Sequence, residues 1–269
     1  MTTIDATIRD FDFIDRLSAG QSSLHRLDPR AKVVVTLLFI ATVASFDRHA
    51  VIPLLPFFLL PVVLATLAGV PLRFLLRKVL FLLPVVLLLV LPNLYFDRLT
   101  YPLVDGVMVP GGWLSLLSAT LKTGLTVSAS LVLVAATGMN GISAGLSRLG
   151  VPQVLVVQLL MLYRYLFVIS DLAARVTLAR ELRSPSGRGR GLASYAPLVG
   201  HLLIRSWERS ERIYRAMLGR GFNGTFPLIG GGSLGWRESI FVAGWLLFLL
   251  ICRFLDLPLL VGTVILGGA

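Results

Sequence analysis

Five long apolar runs decide most of what this chain can fold into. Residues 33–46, 51–70, 79–96, 114–137 and 240–266 carry almost no charge between them. Each approaches the ~20 residues that a helix needs to cross a ~30 Å hydrocarbon core, the first with help from its amphipathic start. A chain of 269 residues that is 56% hydrophobic and only 14% charged cannot hide that apolar surface in a soluble core, because domains of this size leave much of their surface exposed. In lipid, helices satisfy their own backbone groups. The expected fold class is therefore an all-α polytopic membrane protein, with about five transmembrane helices and long cytoplasmic amphipathic helices. Pro53, Pro56, Pro61, Pro84 and Pro92 fall inside the second and third runs, where membrane helices tolerate proline with kinks.

The boundaries follow from composition. Residues 1–31 read as a polar cytoplasmic tail, 32–137 as transmembrane helices one to four, 138–239 as a cytoplasmic helical domain and 240–269 as the last transmembrane helix. Asp28 suits an N-cap and Pro29 the first helical position, where a missing N–H is harmless, so the first helix is expected to start there. The linker 71–78 holds Arg73, Arg77 and Lys78, whereas 47–50 and 97–113 hold one arginine each, Arg48 and Arg98. Cytoplasmic loops carry the excess of Lys and Arg, which puts the N-terminus and residues 138–238 inside the cytoplasmic membrane. Residues 154–169 suggest a sixth span. They are short and contain Gln158 and Arg164, and an arginine near mid-membrane costs ~2.5–3.5 kcal/mol; a helix leaving the bilayer is the preferred reading. The acidic start, with Asp5, Asp10, Asp12 and Asp15, lacks the basic and then apolar pattern of a removable signal. These acids read as a solvated tail rather than a metal collector.

The absent motifs exclude several chemistries. The net charge is +11, from 22 arginines and 3 lysines against 14 acids. On a membrane protein it reads as loop charge rather than nucleic-acid binding, because no aromatic-and-basic RNA motif accompanies it. Cys252 is the single cysteine, so neither a disulfide framework nor a cysteine metal site is expected. His25, His49 and His201 do not have metal-ligand spacing. The phosphate loop G-x-x-x-x-G-K-[ST] is missing, as is the clustered pair of acids or histidines that a membrane enzyme acting on lipid or prenyl substrates would need. No catalytic residue, cofactor or metal site is expected. Lys122, inside the fourth apolar run, reads as packing against a helix or snorkelling rather than as a substrate path.

The unusual segment is 164–220, with eleven arginines, no lysine and four acids, Asp171, Glu181, Glu208 and Glu211. One helix is expected from about Val154 through Leu182, closed by Arg183 before the breaker Ser184-Pro185-Ser186-Gly187. A second carries an apolar stripe of Leu203, Trp207, Tyr214 and Met217 or Leu218, with Arg205, Arg209 and Arg212 on another face. Glu208–Arg212 and Glu211–Arg215 are acid-before-base pairs at i, i+4, each worth ~0.2–0.5 kcal/mol. A glycine stop is expected at Gly219-Arg220-Gly221. Arginines at two such helix ends are pre-placed to fork onto a partner carboxylate. Arg188 and Arg190, in the glycine-rich linker, read as lipid-phosphate contacts instead.

These residues carry a resemblance. Leu27-Asp28-Pro29-Arg30-Ala31-Lys32, the stretch from Arg164-Tyr165 to Arg183, and the stretch from Arg205-Ser206-Trp207-Glu208-Arg209 to Arg220-Gly221-Phe222 resemble the transmembrane T component of energy-coupling-factor transporters, the CbiQ/EcfT family. In detail they look most like its cobalt or nickel branch. The resemblance implies cytoplasmic coupling helices ending in two short motifs that dock into two ATP-binding-cassette subunits. These would be Leu182-Arg183-Ser184 and Gly219-Arg220-Gly221, with Arg205, Arg209 and Arg212 as supporting charges. The first departs from the usual Ala-Arg-Gly on both sides of its arginine. The resemblance further implies a separate membrane S component, CbiM-like and metal-specific, that handles the substrate. A T component serving a vitamin such as biotin or thiamine is the alternative within the family.

Overall fold

The computed structural model describes residues 15, 17–18, 20, 22, 24–96, 100–102, 108–183, 196–226 and 235–254. Ser184, Arg188, Arg190, Arg98, the acids Asp5, Asp10 and Asp12, and residues 255–266 of the last apolar run lie outside these. The elements are α1 (Pro29–Ala44), a 3-10 turn (Ile52–Phe58) running into α2 (Leu59–Ala68), α3 (Leu72–Phe96), strands β1 (Thr100–Pro102) and β2 (Met108–Pro110), then α4 (Gly111–Arg148), α5 (Gln153–Arg183), α6 (Ala196–Gly219) and α7 (Trp236–Phe254). The chain divides into two compact units, one of Ile14–Gly145 with Gly231–Ala269, the other of Met1–Phe13 with Leu146–Gly230.

The protein is an all-α membrane protein, as its apolar runs require. The one departure from helix among the described pairings is an antiparallel ribbon, with Thr100 opposite Pro110 and Pro102 opposite Met108. Three described helices are long and apolar enough to cross a membrane: Leu72–Pro92 of α3, Gly111–Arg148, and Gln153–Arg180 of α5; Ile52–Ala68 is apolar but shorter. On α3, Phe81 is 80% exposed and Leu88 74%, a surface that only lipid accommodates in such density. The helix expected over about 154–182 forms as Gln153–Arg183, 31 residues, and by length and apolar composition it stands with α3 and α4.

In the larger unit, α1 supplies the central stripe. Val35, Phe39 and Val43, spaced i, i+4, i+8, are buried together with Leu54, Phe57 and Leu60 from the following turn and helix. Phe57 sits amid other rings, 6.1 Å from Phe39, 5.3 Å from Phe46 and 6.5 Å from Phe248 of α7, at separations where tilted and edge-on aromatic pairs attract. The end of α1 is closed by cations from two other helices. Lys122 of α4 donates to the carbonyls of Phe46 and Asp47 at 2.7 and 3.0 Å. Arg253 of α7 donates to Ser45 Oγ at 3.2 Å and lies 4.4 Å from the Phe46 ring. Positive charge at a helix C-terminus meets the negative end of its dipole and its unpaired carbonyls. Lys122 is thus a helix clamp, in keeping with the packing role expected of it.

The start of α1 is tied down as firmly. Asp28 caps it, its carboxylate accepting from the Arg30 N–H at 2.8 Å, with Pro29 at the first helical position. This segment lies on the far half of α4, which is broken at Gly138 by a left-handed backbone (φ 67°, ψ 161°). A Cβ on Gly138 would sit 2.9 Å from Ser18 Oγ, and one on Gly145 would sit 3.3 Å from the Pro29 carbonyl carbon. Small residues let the two segments approach. The break leaves carbonyls without their i+4 partners, and buried Lys32 donates to one of them, Ala136 O, at 3.1 Å. His25 is likewise occupied, accepting from Ser22 Oγ at Nδ1 (2.7 Å) and donating from Nε2 to Leu17 O (2.9 Å).

Two stability tests follow from the break. Gly138→Ala places a Cβ in a left-handed conformation and against Ser18, and is expected to destabilise by about 1–2 kcal/mol. Gly244→Ala, in open space on α7, is expected to stabilise by up to about 1 kcal/mol; melting of the detergent-solubilised variants followed by circular dichroism separates the two signs. Lys32→Met keeps the length of the side chain but orphans the Ala136 carbonyl. A loss of about 1–3 kcal/mol in the same melts is expected, and an unchanged midpoint would show that this contact holds nothing.

Candidate functional site

The arginine-rich unit is built on α5 and α6. Its helices are supported locally by acid–base pairs at i, i+4: Asp171 with Arg175 at 2.6 Å, Glu208 with Arg212 at 3.8 Å, and Glu211 with Arg215. The last two stand where the sequence spacing puts them. All are well exposed, so each contributes only a few tenths of a kcal/mol. They neutralise part of the arginine excess and leave the remainder available.

Helix α6 meets α5 with only the later part of its apolar stripe. Leu203 is 66% exposed and Trp207 76%. The α6 residues that share a cavity with α5 include Ser206, Arg209, Ile213, Tyr214 and Met217, opposite Met161 and Tyr165. The Arg209 guanidinium lies 6.0 Å from the centre of the Tyr165 ring, within reach of a cation–π attraction. Arg209 therefore does more than decorate the surface, whereas Arg205 is exposed and Arg212 is held by Glu208.

The glycine stop after α6 is a complete Schellman cap. The Phe222 N–H donates to Met217 O and the Gly221 N–H to Leu218 O, each at 3.0 Å. Gly221 takes the left-handed conformation, φ 78°, that this motif requires of its C′ residue. Arg220 is then the C-cap itself, an exposed residue whose backbone is fixed on both sides. Beyond it the chain turns back: Asn223 Oδ1 accepts from the Thr225 N–H at 3.2 Å and its hydroxyl at 2.7 Å, and the Phe222 and Phe226 rings are 5.1 Å apart. The turn after α6 is thus fixed at Gly221, the residue whose left-handed backbone the cap requires.

Arg183 is the last residue of α5, and it and Leu182 are exposed; Ser184 lies outside the described residues. The two arginines do not come together. Arg164 lines the same cavity as Arg220, and Arg183 is 19 residues further along α5, about 28 Å at 1.5 Å per residue. The unit presents two separate cationic ends. Among the described residues no three His, Cys, Asp or Glu side chains gather as they would around a metal ion.

Comparison with known proteins gives the same direction. Residues 20–229 match the family model described as cobalt transport protein CbiQ. The energy-coupling factor transporter transmembrane protein EcfT of Listeria innocua is 25% identical, over 95% of each chain. The nickel permease LarQ of Lactiplantibacillus plantarum is 27% identical over 53% of this chain and 55% of its own length. The cobalt transport protein CbiQ of Rhodobacter capsulatus is 31% identical over 39% of this chain and 47% of its own. The family match covers all three stretches on which the sequence resemblance rests, and the chain belongs to the CbiQ/EcfT family of multi-pass transporter membrane components.

Proposed function

We propose that this protein is the coupling subunit of an ATP-driven importer of cobalt or nickel. It hydrolyses nothing itself. Two cassette ATPase subunits grip the arginine-rich unit, one at Arg183 with Leu182 and Ser184, the other at Arg220 with Gly219 and Gly221. A separate metal-specific membrane subunit carries the ion. Closure of the ATPases on ATP moves the two gripped ends, and the membrane helices pass that motion to the substrate subunit. The arginine-rich unit faces the cytoplasm, where ATP is, as the loop charges argue.

The single observation that carries this reading is the Gly219-Arg220-Gly221 cap. The backbone bonds around Arg220 fix where its exposed side chain starts, so no backbone ordering is needed when its guanidinium forks onto a carboxylate, and such charge-assisted pairs are the strong ones. A second such end about 28 Å of helix away suits two copies of one motor better than a single partner. For the ion, support comes from the matching family description and from the names of two relatives, a cobalt and a nickel transporter. The same scaffold would serve a vitamin transporter, and the Listeria relative's name specifies no substrate.

The test is uptake of radioactive cobalt and of nickel by cells expressing the full gene set. The double variant Arg183→Ala/Arg220→Ala is expected to insert into the membrane normally and to lose at least about tenfold of uptake, each lost charge-assisted contact being worth ~1.5–3 kcal/mol. Unchanged uptake in that variant contradicts the proposal, and vitamin uptake without metal uptake redirects it to the alternative.

A further inference from the structure

Arg220 does not stand alone. The cavity of about 700 Å³ beside the α6 cap is lined by Arg220 and by Arg164, from the adjacent face of α5. Its lining mixes apolar side chains, Met161, Met217, Phe222 and Phe226, with Tyr165, Asn223 and Thr225, and no Asp or Glu is among them. Three other arginines of this unit, Arg175, Arg212 and Arg215, each face a carboxylate one turn away. The residue four before Arg164 is Leu160 and the one four after is Val168, so its own helix offers it no such partner. Two guanidinium groups on one low-polarity cavity repel each other and draw in an anion.

The shape constrains the anion. A cavity lined by two arginines together with methionine and phenylalanine takes an acidic side chain that arrives together with an apolar one. A free phosphate would leave the apolar side chains uncovered. A protein surface segment supplies both.

We infer that Arg164 is a second carboxylate-binding residue, and that the cavity it shares with Arg220 receives an acidic side chain flanked by an apolar one from the ATPase subunit that docks there. This rests on the coupling reading given above and deepens it. The cap at Gly221 positions Arg220, the α5 backbone positions Arg164, and the two forks close on the same carboxyl-bearing segment from opposite sides.

The experiment uses the tagged full chain, purified in detergent from membranes of cells that also make its companions. Co-purified cassette ATPase per scaffold is measured by quantitative mass spectrometry across a salt series. Arg164→Ala and Arg220→Ala are each expected to weaken the ATPase docked at this end by about tenfold at moderate salt, so that total capture falls toward the half held at Arg183. The double variant is expected to fall little further, because residues that serve one partner group are not additive. Arg164→Lys keeps the charge without the fork and is expected to recover only part of the loss, which a purely structural role for Arg164 would not produce. Arg175→Ala, which removes an exposed ion-paired arginine from the same helix, is the control and is expected to leave capture unchanged. Wild-type capture by Arg164→Ala, with Arg220→Ala still impaired, overturns this inference and leaves the coupling reading standing. Unimpaired capture by Arg220→Ala and Arg183→Ala alike overturns the coupling reading. Additive losses in the double variant also count against a shared cavity, showing two independent sites.

Discussion

A broken membrane helix is the constraint on which the larger unit is organised. At Gly138 the backbone of α4 takes a positive φ and leaves helical geometry, and buried backbone groups beside such a break need partners. The repair comes from the sequence's own first helix. Lys32 reaches the Ala136 carbonyl, Asp28 and Pro29 begin α1 at the point where that lysine must be placed, and the glycines at 138 and 145 leave room for the Pro29 backbone and Ser18. A buried ammonium is expensive unless it is hydrogen-bonded. Its presence here shows why Leu27-Asp28-Pro29-Arg30-Ala31-Lys32 reads as a unit: each residue has a different task at one junction.

The same device recurs at the other end of α1, where Lys122 and Arg253 close the carbonyls at Ser45, Phe46 and Asp47. Cations inside apolar helices are first suspects for a transport path. In this protein two of them are helix clamps, committed to backbone oxygens. This agrees with the proposed scaffold role, in which the membrane unit transmits movement.

Much of this was legible in the residues. The Asp28 cap, the proline start and the Glu–Arg pairs at i, i+4 are local effects, set within one turn, and they stand where the spacing places them. The glycine stop at Gly221 is equally local. What could not be read was tertiary. The apolar stripe of α6 divides: Leu203 and Trp207 stay exposed while Tyr214 and Met217 share a cavity with α5; periodicity identifies a face without saying what meets it. Arg164 and Arg220 are 56 positions apart and share a cavity only because α5 and α6 pack together. The fourth span was expected to end at Thr137, and the structure puts its break at the next residue, Gly138, while α4 itself runs on to Arg148; an isolated glycine carries no sign of its φ. The ribbon between α3 and α4 had a signal in Asp105-Gly106, which favours tight hairpin turns.

The central claim is that separate ATPase subunits grip the two arginine ends, and cross-linking in the assembled complex addresses it most directly. Cys252 is the only thiol and is buried, so a Cys252→Ala background carrying either Leu182→Cys or Asn223→Cys offers one reactive group beside each end. With a short thiol-directed photo-cross-linker on whole membranes, both positions are predicted to capture a cassette ATPase, with the yield changing on addition of ATP. Capture of lipid alone at both positions, or labelling of either thiol by a membrane-impermeant reagent from outside the cell, would contradict the account.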